Sequence, residues 1–415
     1  MKTQWLKVLI LSILTMSIAA TASDQDAAKA PKRTSAGSSS HGSSYSPSAY
    51  ASSESSGGQA VKEQSFTVGK GSSLDVSVTG CEIIIKTTEK NEINVVVEGL
   101  DEEDLQFIKM TQSGDEVRVT YRPKWGNGDG RFLISVPTQT KLELRTSGGD
   151  IELQGNLTGD AVGSTAGGDI TIEKVKGTVR MSTSGGDIRT GDIDGKADLR
   201  TSGGDISLAV VNGEATVSTS GGDIRIEKVS KKLDARTSGG EIEVGDIGGD
   251  ASLSTAGGDV RVGKVSGNAY LRTAGGDLKL KGASGTVEAK TSGGDIDLDN
   301  ISGSIEASTA GGNVVADLNP SGKGESKLKS SGGDIRLTLP ANAKATIEAT
   351  IRLRDNYGWG GASKKTKYEI RSDFNSVSYD KDGDRDEIRA RYMLNGGGEI
   401  ITLETVNGNI DIKKK

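Results

Sequence analysis

Side chains that do chemistry are scarce in this sequence, which has one histidine, His41, and one cysteine, Cys81, among 415 residues. A lone cysteine forms no intramolecular disulfide even in an oxidising compartment. A histidine with no second histidine and no cysteine nearby is a poor start for a metal site. No catalytic, cofactor-binding or metal-binding residue is therefore assigned. Aromatics make up 4% and hydrophobic residues 33% of the chain, which argues against a thick core of large side chains but allows a thin one of small aliphatics. No apolar run reaches the ~20 residues that a membrane-spanning helix needs. The net charge of −6 is small beside 51 basic and 57 acidic residues. Because the signs are interspersed, there is no footprint for a nucleic-acid partner.

What is present begins with an export pattern. Lys2 and Lys7 precede the apolar run Val8 to Ile18, and Ala20-Thr21-Ala22 supplies small residues for cleavage, so residues 1–22 read as a signal peptide and the mature chain as starting at Ser23. No cysteine follows that site to take a lipid, and no apolar C-terminal tail suggests another anchor. An exported protein, periplasmic, cell-surface or secreted, is expected. Residues 23–60 read as a flexible linker: 16 of the 25 residues from Thr34 to Gly58 are serine or glycine, enough to hold a folded module on the order of 35 Å from its start.

Residues 61–145 carry short alternating runs, among them Leu74 to Val78, Ile83 to Lys86 and Phe132 to Val136, and imply an N-terminal β cap. In this segment Cys81 alternates with Ile83 and Ile85, which puts it on the apolar face as a buried thiol. Gly126-Asn127-Gly128-Asp129-Gly130 supplies the positive φ angles of a hairpin turn.

A repeat then dominates. Thr-[Ser/Ala]-Gly-Gly-[Asp/Glu/Asn] starts at Thr146, Thr165, Thr183, Thr201, Thr219, Thr237, Thr255, Thr273, Thr291 and Thr309, with a degenerate copy at Ser330; the first step is 19 residues and the next eight are 18. A fixed short period of this kind means a solenoid, here over residues 146–339. After the acidic residue, Ile188, Ile206 and Ile224 head one inward column, Leu208, Ile226 and Val244 lie in a second, and Ile193, Val211 and Val229 in a third. A following glycine can turn the next corner.

The other strand of each rung trades volume between its two inward positions: Ala197/Leu199, Ala215/Val217, Leu233/Ala235, Ala251/Leu253, Ala269/Leu271, Val287/Ala289 and Ile305/Ala307. Two large residues would overpack a narrow core and two small ones would leave a void. Val179/Met181 is the exception, at an end rung. Outward, Arg200, Arg236 and Arg272 skip a rung, which places like charges about 10 Å apart, near a Debye length. Ten rungs predict a rod of roughly 50 Å. Its ends need covers against edge-to-edge association. Residues 340–415 are read as the C-terminal cap, with an aromatic insertion that includes Tyr357 and Trp359 and a closing echo of the repeat, Thr405-Val406-Asn407-Gly408-Asn409-Ile410.

These features together resemble a known family. The strand-rich lead-in ending Phe132-Leu133-Ile134-Ser135-Val136-Pro137, the serial Thr-Ser-Gly-Gly-Asp-Ile units, the late Ile335-Arg336-Leu337-Thr338-Leu339-Pro340 and the closing echo are similar to the bacterial adhesin-like family DUF4097, over about residues 61 to 415. The resemblance implies an all-β, single-stranded β-solenoid (β-helix) at a cell surface, with a right-handed coil and no catalytic residues to carry over.

Two ladders invite chemistry. Asp150, Asp169, Asp187, Asp205, Asp223, Glu241, Asp259, Asp277, Asp295 and Asn313 would stack one rung apart. They are read as acceptors for the Gly-Gly turn amides, with weak divalent-cation binding as the alternative. The repeated threonines suggest ice binding, but alternation turns them towards the core or corner, as stacked, mutually hydrogen-bonded structural residues. The functional expectation is a non-enzymatic adhesin-like module whose partner is an unknown surface, glycan or protein ligand. The alternatives are a self-assembling envelope scaffold, with Trp359 a contact or a cap core residue, and a polysaccharide-acting β-helix enzyme, which the nearly insertion-free rungs disfavour.

Overall fold

The computed structural model describes residues 60–415 apart from 125, 127, 323, 355–366 and 382–385. The signal segment, nearly all of the linker, His41, Tyr357 and Trp359 lie outside the described residues.

The chain is an all-β solenoid of two long sheets facing each other across a thin core. Each rung, named here by its corner threonine, gives one strand to each sheet; the Thr183 rung supplies Ile188–Ile193 and Ala197–Arg200. Successive rungs pair in parallel and in register, Ile188 with Ile206 and Ala197 with Ala215. Residues 18 apart therefore stack on one another, and the columns foreseen above are the columns observed. Ile188, Ile206, Ile224, Leu199, Leu233 and Leu271 are all essentially inaccessible to solvent. Among the described residues one sheet has 17 strands and the other 18, so at ~4.8 Å per strand the stack is roughly 80 Å long, more than ten rungs alone would give.

The exceptional pair Val179/Met181 has a packing reason. Met181 lies opposite Gly163 in the neighbouring rung, and a Cβ on Gly163 would come 2.6 Å from Met181 Sδ. Two large residues are accommodated because the rung beside them gives up a side chain.

Thr190 interrupts the otherwise apolar second column between Ile172 and Leu208, and its buried hydroxyl has no hydrogen-bond partner. Thr190→Val keeps the shape and removes an unsatisfied polar atom, so it should stabilise the protein by about 1 kcal/mol, read as a raised urea midpoint. An unchanged or lowered midpoint would mean that the hydroxyl finds a partner in solution.

At both ends the order in space departs from the order in sequence. Ser72–Val78 pairs with Thr140–Thr146 on one side and Glu116–Tyr121 on the other, and Glu82–Thr88 lies between Ile151–Thr158 and Arg131–Pro137. The segment Val78-Thr79-Gly80-Cys81-Glu82-Ile83 is thus a degenerate corner, with Cys81 where a rung carries its second glycine. Outside it the pairing turns antiparallel: Glu92–Leu100 joins Arg131–Pro137 and Ala60–Thr67, and Ile108–Ser113 joins Glu116–Tyr121. The C-terminal end mirrors this. Glu399–Val406 inserts between Ser326–Ser330 and Ala345–Arg352, Ile410–Lys414 between Ile335–Leu339 and Ile370–Ser372, and the antiparallel strands Glu387–Leu394 and Ser376–Asp380 lie outermost.

The Gly126–Gly130 stretch is not the hairpin turn that its composition suggests. The strands on either side of it, Glu116–Tyr121 and Arg131–Pro137, belong to different sheets and so are not a hairpin pair. Its glycines make room: a Cβ on Gly128 would come 2.7 Å from the Tyr121 ring and 3.0 Å from Cys81 Sγ. Cys81 is fully buried there, and burial pushes its thiol up to about 11, so it is a poor nucleophile in the folded chain.

Candidate functional site

The corner of each rung is built from the repeat itself. Thr219 Oγ1 donates to the Gly204 carbonyl of the preceding rung at 2.9 Å and accepts from the Gly222 amide at 3.3 Å. The same donation recurs from Thr165 to Thr309. It continues in Ser330 and in Thr405 of the closing echo. The threonines are buried and turn inward as expected, but they do not bond to one another. A carbonyl from the rung beside each one is nearer than the next hydroxyl. An ice-binding plane would need these groups outside.

The acidic ladder is also used differently from the expectation. Asp187 Oδ1 accepts from the amide of Asp205, Asp205 Oδ1 from Asp223, and Asp223 Oδ1 from Glu241, at 2.7–2.8 Å. The Gly-Gly amides are not its donors, because the second glycine gives its N–H to threonine and the first to a carbonyl of the preceding rung, as Gly203 does to Ser184. The acidic residue instead satisfies the amide one rung on, which has no strand partner at the corner. From the Thr183 rung to the Thr255 rung, every second one adds an arginine: Arg189 reaches Asp187 and Asp169, Arg225 reaches Asp223 and Asp205, and Arg261 reaches Asp259 and Glu241. These exposed pairs are individually weak, but they offset repulsion along the row. One oxygen of each bonded aspartate is committed to the backbone, and among the described residues no group of three or more histidine, cysteine or acidic side chains is placed to hold a metal ion.

Glu241 breaks the series. Its longer side chain reaches Arg261 at 2.6 Å instead of the next amide, and the Asp259 amide is left without the bond its counterparts make. Glu241→Asp should restore it. Exchange of the Asp259 amide with solvent deuterium should then slow about tenfold, the effect of one hydrogen bond of ~1.4 kcal/mol to a charged acceptor. No change would show that the amide already has an acceptor of equal strength.

With the corners occupied structurally, the outward strand faces remain for recognition. Arg200 and Arg236 pair with Asp198 and Asp234 on their own strands at 3.0 and 2.9 Å, so their charges are balanced locally as well as spaced. One place differs. Tyr270 is the only aromatic residue between Thr146 and Leu339, and it points outward from Ala269–Arg272 with 47% of its surface exposed. In register it lies between Ser252 and Glu288, while Arg272 lies between Ser254 and Lys290. The two serines are short beside tyrosine and arginine. A shallow depression results, lined by these side chains and Arg236. Lys290 is held by Glu288 and Glu306 at 2.7 and 2.9 Å, which raises its affinity for its proton. Arg272 has no ion pair among the described residues. Composition hid this site, although one aromatic at an outward position in a run of otherwise non-aromatic rungs is a readable signal.

The aromatic C-terminal region divides. Tyr392 is buried, with its phenol pushed up by burial, and Tyr368 and Phe374 pack against the core. Tyr379 and Val377, on the outermost strand Ser376–Asp380, are exposed.

The family model described as Toastrack DUF4097 matches residues 72–247 and 227–355, beginning at the first residue of the first stacked strand. No curated protein matches the chain. Similar solved structures include a candidate cell-adhesion protein from Clostridium sporogenes, with 11% identity, 86% of this chain and 100% of that chain covered and a TM-score of 0.18. Another is a candidate adhesin from Bacteroides fragilis, with 12% identity, coverage of 86% and 97% and a TM-score of 0.19. A candidate lipid-binding protein from Parabacteroides distasonis shows 12% identity, coverage of 85% and 96% and a TM-score of 0.17. Superposition at those scores locates no shared site.

Proposed function

This chain belongs to the DUF4097 Toastrack family, and on that premise we propose that it is an exported, non-enzymatic, adhesin-like module that displays a rigid β-solenoid at the cell surface or in the periplasm. The observation that carries this reading is how the repeat is used. Threonine, glycine and aspartate all serve rung-to-rung contacts, and from Thr165 to Thr309 the rungs run at a constant 18 residues without the long loops that build a catalytic cleft. Binding then falls to outward side chains on a scaffold stiff enough to hold them in fixed positions.

The test is cell fractionation with protease shaving of intact cells, together with retention of envelope fragments or cells on beads carrying the folded protein. Export with retention by folded but not denatured protein is expected. A cytoplasmic location, or equal retention by denatured protein, would overturn the reading. Release of reducing or unsaturated ends from a polyuronate by the purified protein would replace it with the enzyme reading.

A scaffold reading has its own observation: every residue of Ser376–Asp380 is exposed, including Val377 and Tyr379, and one edge of this strand has no partner among the described residues. Such an edge can pair with a second copy. Light scattering that shows mass growing with concentration, and stopping in Val377→Lys, would favour end-to-end assembly.

A further inference from the structure

We propose that the depression around Tyr270 is a subsite for an acidic sugar, a carboxylate-bearing pyranose within a polysaccharide chain. This rests on the display reading for its biological use, but not for its chemistry. Tyr270 has no counterpart on the stack: the same outward column holds Asp198, Thr216, Asp234, Ser252, Glu288 and Glu306 in its neighbours. An exposed tyrosine contributes nothing to the core, and it is the side chain that offers a rigid apolar ring at low entropic cost to a partner. The face of a pyranose ring, with its C–H groups, is a partner of that shape.

Charge selects among sugars. Arg236, Arg272, Lys290 and Glu288 line the depression, and because Asp234, Glu288 and Glu306 already balance Arg236 and Lys290, the attraction for an anion falls to Arg272, even though the whole chain is acidic. Arg236 and Lys290 are already engaged. Arg272 is not, and its planar fork of N–H donors fits a carboxylate in a two-point contact. Ser252 and Ser254 leave the floor low beside the ring and add hydroxyls for sugar oxygens. A nucleic-acid strand would need an extended basic stripe, which outward columns of mixed sign do not supply. A membrane surface would need a broad apolar patch, and Tyr270 stands alone.

The experiment is titration calorimetry of the mature chain with hexagalacturonate and, as the neutral comparison, cellohexaose. Tyr270→Ala, Arg272→Ala and Arg272→Lys are compared with Arg200→Ala, which removes an outward cation from the same column well away from the depression. Melting curves check that all remain folded, as expected for outward positions. Hexagalacturonate should bind more tightly than cellohexaose. Tyr270→Ala and Arg272→Ala should each weaken it by about tenfold, Arg272→Lys should weaken it less, and Arg200→Ala should leave it unchanged. Absence of hexagalacturonate binding at millimolar concentration, full affinity in Tyr270→Ala, or equal losses in Arg200→Ala and Arg272→Ala would each overturn the proposal. If the uronate fails to bind while beads carrying the protein still retain envelope fragments, the sugar subsite falls and the display reading stands.

Discussion

Gly222→Ala is expected to cost at least ~3 kcal/mol and to break the stack locally, whereas Gly221→Ala should cost no more than ~1 kcal/mol. Neither glycine has a positive φ, so the difference is not one of backbone angle. A Cβ on Gly222 would lie 2.5 Å from the Gly204 carbonyl carbon and 2.6 Å from Asp205 Oδ1, and closer still to the Gly204 carbonyl oxygen. That carbonyl cannot move away easily, because it also accepts from Thr219 at 2.9 Å. The two rungs cannot part either, since at the same corner Thr201 bonds to the Ser218 carbonyl and Ile206 to the Asp223 carbonyl. On Gly221 the one tight contact of an added Cβ would be the Gly203 carbonyl oxygen at 3.2 Å, which a few tenths of an ångström relieve. Urea unfolding with amide exchange mapped by rung is the measurement, because a long array need not unfold in two states. Equal effects of the two substitutions would sink the close-approach explanation.

Leu233→Ala should cost about 2–4 kcal/mol, and the swap Leu233→Ala with Ala235→Leu should recover more than half of it. Leu233 is fully buried and flanked in its column by Ala215 and Ala251, while Ala235 is flanked by Val217 and Leu253. Ala235→Leu alone places two large residues in one rung and should be destabilising by ~1–3 kcal/mol. If volume is traded within the rung, the two losses cancel in part, with a coupling of at least ~1 kcal/mol in a double-mutant cycle. Strict additivity would mean that stacking between rungs, rather than filling within a rung, sets the sizes. Met181 beside Gly163 is one case of compensation between rungs.

Much of this was legible in the residues. The inward columns were, because in-register stacking turns a sequence separation of 18 into a direct contact, and alternation assigns each side chain a face. The inward turn of the threonines followed from their spacing after Leu199 or Met181. Cys81 was placed correctly on the apolar face. Its role as a stand-in for a corner glycine was not visible, because Gly149 follows it by 68 residues rather than 18. The Tyr270 site was missed because its meaning depends on short serines from one neighbouring rung and cations from others.

The sequence by itself therefore determined the rung: its length, its buried columns, its corner and the thinness of its core. All of these depend on local alternation and on a single repeated separation. The tertiary structure alone decided which atoms complete each ladder. Whether threonine meets a hydroxyl or a carbonyl, and whether aspartate meets a glycine amide or the amide one rung on, turns on ångström-scale offsets between stacked corners that composition does not encode. It also decided the order at the two ends, where Ser72–Val78 and Glu399–Val406 insert between segments distant in the chain. There the exposed edges of the stack select the strand that covers them by shape and register, whatever its distance in sequence.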